Sequence, residues 1–322
     1  MFIFSANAQN EQYESEDHLN KKNPLDSERS SFSLGIQDSI FIFQDKIIVT
    51  PGIRYTWIQD KLKDASSIWG TQLEGKKLKD NYFSPQTGIK YKALEWLTFK
   101  TNIAKYVREP SLFELFGDRG FFIGNSDLEK EEGINFDLGT EIQWNPEQTR
   151  LKAVALNLCW FRNHADDLIA RVYDSRGIGR SVNISKALIQ GIEAQASVDI
   201  FEYFRLILNA TWQKPENQGE IAAFDGKNLP GHFEKSYLAR LEARHQGIKV
   251  YLEFLHDKDM YYDTANLRKA EDKNELNAGI SFIYNNWLFS LEAQNINDDI
   301  YEDFNSYPLP GRSFYTSIKY EF

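Results

Sequence analysis

The chain has 322 residues, a formal net charge of −10, and 42% hydrophobic residues. Its single cysteine, Cys159, rules out a disulfide framework within the chain, and the acidic balance argues against a nucleic-acid surface. No stretch approaches the roughly 20 apolar residues of a membrane-spanning helix, but a β-barrel escapes that test because only alternate residues face lipid and each crossing takes about 10 residues. The 16 Tyr, 23 Phe and 7 Trp would furnish aromatic girdles at two interfaces, or else the core of an aromatic-rich β-sandwich.

From the N-terminus, MFIFSANAQ carries an A-x-A-like ending, but four apolar residues with no basic residue before them fall short of an export signal. A barrel must be exported, so the start of the natural protein is expected upstream of Met1. Residues 1–30 are expected to form an external polar loop, mainly Asn7 to Arg29, preceded by a strand remnant in which Phe2, Phe4, Ala6 and Ala8 alternate. Residues 31–322 then read as a barrel wall. Alternation and turn residues predict about thirteen strands, at 31–43, 46–59, 82–91, 97–106, 133–144, 151–162, 182–200, 203–212, 235–246, 247–256, 275–284, 287–295 and 312–322, or fourteen with the remnant.

The clearest strand is 133–144, where Ile134, Phe136, Leu138, Thr140, Ile142 and Trp144 share one face and Asn135, Asp137, Glu141 and Gln143 the other. Slipping the strands of Arg205 or Lys249 by one residue would move those charges into lipid, at about 2–4 kcal/mol near the midplane. In the first strand Asp38 shares a face with Leu34, Ile36 and Ile40, which predicts a β-bulge or an early interface there. Connections alternate short and long down the chain, the wiring of outer-membrane barrels with tight periplasmic turns and longer external loops. Cys159 is expected to point into the lumen, opposite the lipid side formed by Val154, Leu156, Leu158 and Trp160.

Four local patterns then carry a resemblance. They are Pro51-Gly52-Ile53-Arg54-Tyr55; Arg108-Glu109-Pro110-Ser111-Leu112-Phe113-Glu114-Leu115; Gly124-Asn125-Ser126-Asp127-Leu128-Glu129-Lys130-Glu131; and Asn295-Ile296-Asn297-Asp298 with Tyr301, Pro308 to Arg312 and Phe322. Together they resemble TonB-dependent outer-membrane receptors, with Ser126 and Lys130 replacing two prolines of the family pattern and implying a less rigid loop. The resemblance implies an all-β fold, a transmembrane antiparallel β-barrel that is partial here, about 13 of an expected ~22 strands around a plug. It also implies location in the bacterial outer membrane and uptake of a scarce small-molecule ligand such as siderophore-iron or a corrinoid. The implied partners are membrane lipid and lipopolysaccharide, the barrel-assembly machinery, and the TonB energy-coupling complex acting through the plug. Neither the plug nor the first half of the wall is recognisable in the sequence. The alternative is a self-closing, porin-like channel of about fourteen strands, because an open sheet edge cannot sit in hydrocarbon.

Alternating Phe314, Ile318, Tyr320 and Phe322 resemble the C-terminal signal read by barrel-assembly machinery. By loop position alone, Tyr106, Arg108, Phe121, Phe122, Tyr173, Arg176, Tyr261 and Tyr262 are candidate ligand contacts, with Trp69 and Phe224 beside them. No cofactor, metal site or catalytic residue is expected. His164 with Asp166 and Asp167, and His256 with Asp257 and Asp259, offer a rim enzyme only as an outside reading. The acidic external runs read as solvated loops.

Overall fold

The computed structural model describes all residues except 16–24, 63–64, 67–71, 74, 118–121, 147–149, 174–176, 305–306 and 322. Fourteen strands follow one another as a meander: β1 (Phe2–Ser15), β2 (Leu25–Asp38), β3 (Ile47–Leu62), β4 (Lys77–Leu94), β5 (Leu97–Arg108), β6 (Glu131–Trp144), β7 (Leu151–Tyr173), β8 (Gly179–Ile200), β9 (Phe204–Asn217), β10 (Lys235–His245), β11 (Ile248–Lys258), β12 (Lys273–Tyr284), β13 (Trp287–Gln294) and β14 (Ser313–Tyr320). Each pairs antiparallel with its sequence neighbours, and among the described residues β1 and β14 each have a partner on one side only. One short helix, α1 (Leu112–Phe116), interrupts the series between β5 and β6.

Register shows how the alternation is used. Leu138 lies opposite Thr101 on β5 and Trp160 on β7, and Leu208 lies opposite Ala196 and Ala239. Residues directly opposite point to the same face, so the apolar positions merge into one continuous band. That band is bare: Leu138 and Leu252 are each 51% exposed and Leu208 is 41% exposed, the reverse of a sandwich core. The other face is filled by ion pairs. Arg205 grips Asp199 through two bonds of 2.6 and 2.7 Å, Arg240 reaches Glu242 at 2.8 Å and Glu253 at 3.2 Å, and Asn102 donates to Asp137 at 2.9 Å. Cys159, paired with Gly139, belongs to this polar face as expected. A sheet with one wet and one greasy side is the wall of a transmembrane barrel.

Three expectations are corrected. The external loop expected at Asn7 to Arg29 is instead largely strand, because β1 and β2 pair without interruption from Phe2↔Asp38 to Ser15↔Leu25. Asn7, Gln9, Asn10, Glu11 and Gln12 carry no apolar alternation, yet backbone pairing continues through them. The same holds for 163–173 and 179–181, expected as loop but forming the far ends of β7 and β8. No β-bulge occurs at Asp38. The β2 ladder stops where its partner on β3 would be Pro51, which has no N–H to give, and Ile40–Ile42 resumes pairing in the unchanged register, Gln37↔Gly52 before the gap and Ile40↔Val49 after it.

Short turns close one end of the wall. At the corner of β10 and β11, His245 and Ile248 pair across two residues, Gln246 and Gly247, whose φ values of 47° and 83° suit the right-handed twist of a tight hairpin. At the opposite end the long connections fold over the polar face and bury two small apolar clusters. Leu112, Leu115, Phe116, Leu128 and Ile169 form one, and Ala165, Ile184, Ala187 and Leu229 the other.

Candidate functional site at the long-loop rim

The segment after β5 builds the rim from the backbone outward. Ser111 caps α1: its hydroxyl accepts from the Glu114 N–H at 3.2 Å while the Glu114 carboxylate accepts from the Ser111 N–H at 2.8 Å, a reciprocal capping box. Gly117, at φ 69°, ends the helix by donating its N–H to the Phe113 carbonyl at 2.7 Å. Phe122–Ile123 then adds parallel to Gly179–Arg180 at the tip of β8, and the Asn125 side chain donates to the Ser181 carbonyl at 3.0 Å.

Arg108 and Glu131 lock this fold-over to the wall. Glu131, almost fully buried, accepts from Tyr106 Oη at 2.9 Å, from Arg108 Nε at 3.2 Å and from the Ile169 N–H at 3.1 Å. Arg108 also donates to Glu114 at 3.1 Å and to the Ile169 carbonyl at 3.1 Å. Lys130 reaches Asp80 at 2.7 Å and stands 5.7 Å from the Tyr82 ring centre. An ionic tether thus restrains the loop.

Several cavities open around this frame among the described residues, and three of them involve the long connections. The first, about 350 Å³, is lined by Arg108, Arg171, Tyr173, His232 and Tyr262 among others. A second of about 460 Å³ is acidic, with Asp80, Glu109, Asp166 and Asp167 around the buried pair Arg29–Asp60, whose two bonds are both 2.7 Å. Glu109 Oε1 is buried without a hydrogen-bond partner. Burial first, and the nearby Asp80 carboxylate second, push the Glu109 carboxyl above its ordinary range. The third cavity, about 830 Å³, is mostly apolar and includes Ile178, Ile184 and Phe224.

The candidate ligand contacts separate accordingly. Tyr173 and Tyr262 line the first cavity, where Tyr262 Oη also donates to the Glu302 carbonyl at 3.0 Å. Arg108 lines it too, but its guanidinium is committed to the clamp, as is Tyr106. Phe122 is buried against Phe113 with ring centres 4.8 Å apart, and Tyr261 is held in a bridge to Lys269. Phe121, Arg176 and Trp69 lie outside the described residues. In the C-terminal motif, Phe314, Ile318 and Tyr320 stand opposite Ala293, Phe289 and Trp287 on the apolar face, and Phe322 lies outside the described residues. Loop position did not single out Arg171 and His232, which line the first cavity, or Glu109, which lines the second although it lies within the Arg108 to Leu115 motif. His164 stands 3.6 Å from Asp166, and His256 meets Asn274 at 2.8 Å. No group of three metal-ligating side chains exists among the described residues.

A meander sorted into a greasy face and an ion-paired face, with long connections folded over one rim around small-molecule-sized cavities, is the wall of an outer-membrane-type β-barrel. The chain belongs to the TonB dependent receptor-like β-barrel family, whose model matches residues 4–311. It is 27% identical over 177 residues to the heme/hemopexin utilization protein C of Haemophilus influenzae, covering 48% of this chain and 23% of that protein. It is 26% identical over 215 residues to the ferrienterobactin receptor of Escherichia coli K12, covering 60% of this chain and 25% of that one. The solved copper transporter OprC superposes on all of this chain with a TM-score of 0.79 at 13% identity, using 54% of its own length. The matches thus span about a quarter of those two relatives and about half of the transporter. The family is one of transporters, not enzymes.

Proposed function

We propose that this chain supplies wall strands, outer loops and the assembly signal of an outer-membrane receptor that imports a scarce iron complex, such as ferric siderophore or haem, on TonB-coupled energy. Further strands and a plug complete the barrel, which lies among lipid and lipopolysaccharide after delivery by the barrel-assembly machinery. The carrying observation is the bare apolar band opposite a face that carries ion pairs and polar side chains, in a chain of the TonB-dependent receptor family. The names of the relatives, a haem utilization protein and a ferrienterobactin receptor, support an iron complex as cargo. No sheet contact between β1 and β14 supports the self-closing channel among the described residues.

The test is growth under iron limitation. A strain whose uptake depends on the receptor carrying this wall should grow on a ferric siderophore or haem as sole iron source, and lose that growth, but not surface binding of the complex, when TonB is removed. Growth on every iron source without the receptor, or uptake indifferent to TonB, would count against it.

A further inference from the structure

The two arginines of the first cavity differ sharply. Arg108 is saturated by Glu114, Glu131 and the Ile169 carbonyl. Arg171, two residues beyond Ile169 on β7, is exposed and has neither an ion pair nor a hydrogen-bond acceptor for its guanidinium among the described residues. What holds it is a pair of rings: its Cζ lies 5.5 Å from the centre of Phe113 and 5.6 Å from that of Phe122, and those two rings are themselves stacked 4.8 Å apart.

Cation–π attraction restrains a guanidinium beside aromatic rings while leaving its N–H edge available, and that edge forms a fork matched to two neighbouring anionic oxygens. Glu131, the acid among the residues that line the cavity, already serves Arg108, Tyr106 and Ile169. Tyr173, Tyr262 and His232 offer flat surfaces across the same space of about 350 Å³, within the range of small-ligand sites. We propose that Arg171, held by Phe113 and Phe122, is an anion-recognition element, gripping a ligand group whose negative charge sits on two adjacent oxygens, a carboxylate or a catecholate. The inference rests on the uptake function proposed above and deepens it by naming the ligand group and the residue that reads it.

The experiment uses the receptor carrying this wall, purified in detergent, and titrates benzoate, 4-nitrocatechol and the uncharged benzamide by calorimetry. At least one anion should bind about tenfold or more tightly than benzamide, the tighter anion identifying the oxygen pair preferred. Arg171→Gln should remove that preference, Arg171→Lys should restore only part of it, and Phe113→Leu should weaken it with the charge intact. Heat-modifiable electrophoretic mobility verifies that each variant is folded. Equal binding of benzoate, 4-nitrocatechol and benzamide, or an Arg171→Gln variant that keeps the anion preference, overturns the inference. Iron-complex uptake indifferent to Arg171 would overturn it while leaving the uptake function standing; Arg171-dependent anion binding in a receptor that imports no iron complex would do the opposite.

Discussion

Glu131→Ala probes the clamp at its centre. The substitution leaves the buried Ile169 N–H without an acceptor, an orphaned donor that costs about 1–3 kcal/mol. It also strips one partner from Arg108, but that side chain is 39% exposed and keeps Glu114, so the electrostatic part is the ~0–1 kcal/mol of a surface pair and not the larger penalty of a buried one. With the Tyr106 hydroxyl also released, the local loss is about 2–4 kcal/mol, which converts to amide exchange at Ile169 faster by roughly 30- to 900-fold. Hydrogen–deuterium exchange with mass spectrometry of a peptide covering 165–173, on the folded receptor in detergent, measures it directly. Glu131→Gln keeps a carbonyl for the Ile169 N–H and should accelerate exchange by no more than about tenfold. Unchanged protection at Ile169 in the alanine variant would refute the clamp, because the fold-over would then be held by something other than Glu131.

Other outcomes follow from the same geometry. Leu252→Arg, on the bare face, should cost about 2–4 kcal/mol in refolding equilibria with lipid vesicles if Leu252 lies near the midplane, whereas Asn209→Arg, on the face of Arg205, should cost less; equal costs would contradict the assignment of faces. Arg29→Met strands the Asp60 carboxylate in a site where both partners are under 10% exposed, at about 3–5 kcal/mol, and the double variant Arg29→Met/Asp60→Leu should recover most of it in urea titrations. Since the folded-state pKa of Glu109 is raised, the native state holds the proton more tightly than the unfolded one, and its contribution to stability falls as pH rises from the ordinary glutamate value through the raised one. Glu109→Gln should therefore be more thermostable than the parent at neutral pH and lose that advantage below the ordinary glutamate value; a pH-independent difference would refute the linkage.

The middle of each strand was legible because lipid on one side and charge on the other enforce a period of two. Beyond the apolar band that contrast vanishes, which is why 7–14 and 163–173 read as loop although they are paired backbone. The rim was legible only as motifs. Arg108 and Tyr106 drew attention by position, but their partners lie 23 and 25 residues away at Glu131, and Ile169 lies 61 residues from Arg108, distances no local pattern encodes. Arg171 escaped notice for the same reason, its two rings arriving from a helix and a short strand 58 and 49 residues earlier.

The hairpin of β7 and β8 has a mechanical consequence. At about 3.3 Å per residue, the 23 residues of β7 measure roughly 75 Å along the strand, against an apolar band about 25 Å tall. Even strongly tilted, such a hairpin stands well clear of the bilayer as a stiff mast. Side chains near its tip are therefore held in place by hydrogen-bonded sheet, and any contact made at that height sacrifices less chain freedom than closure of a slack loop would.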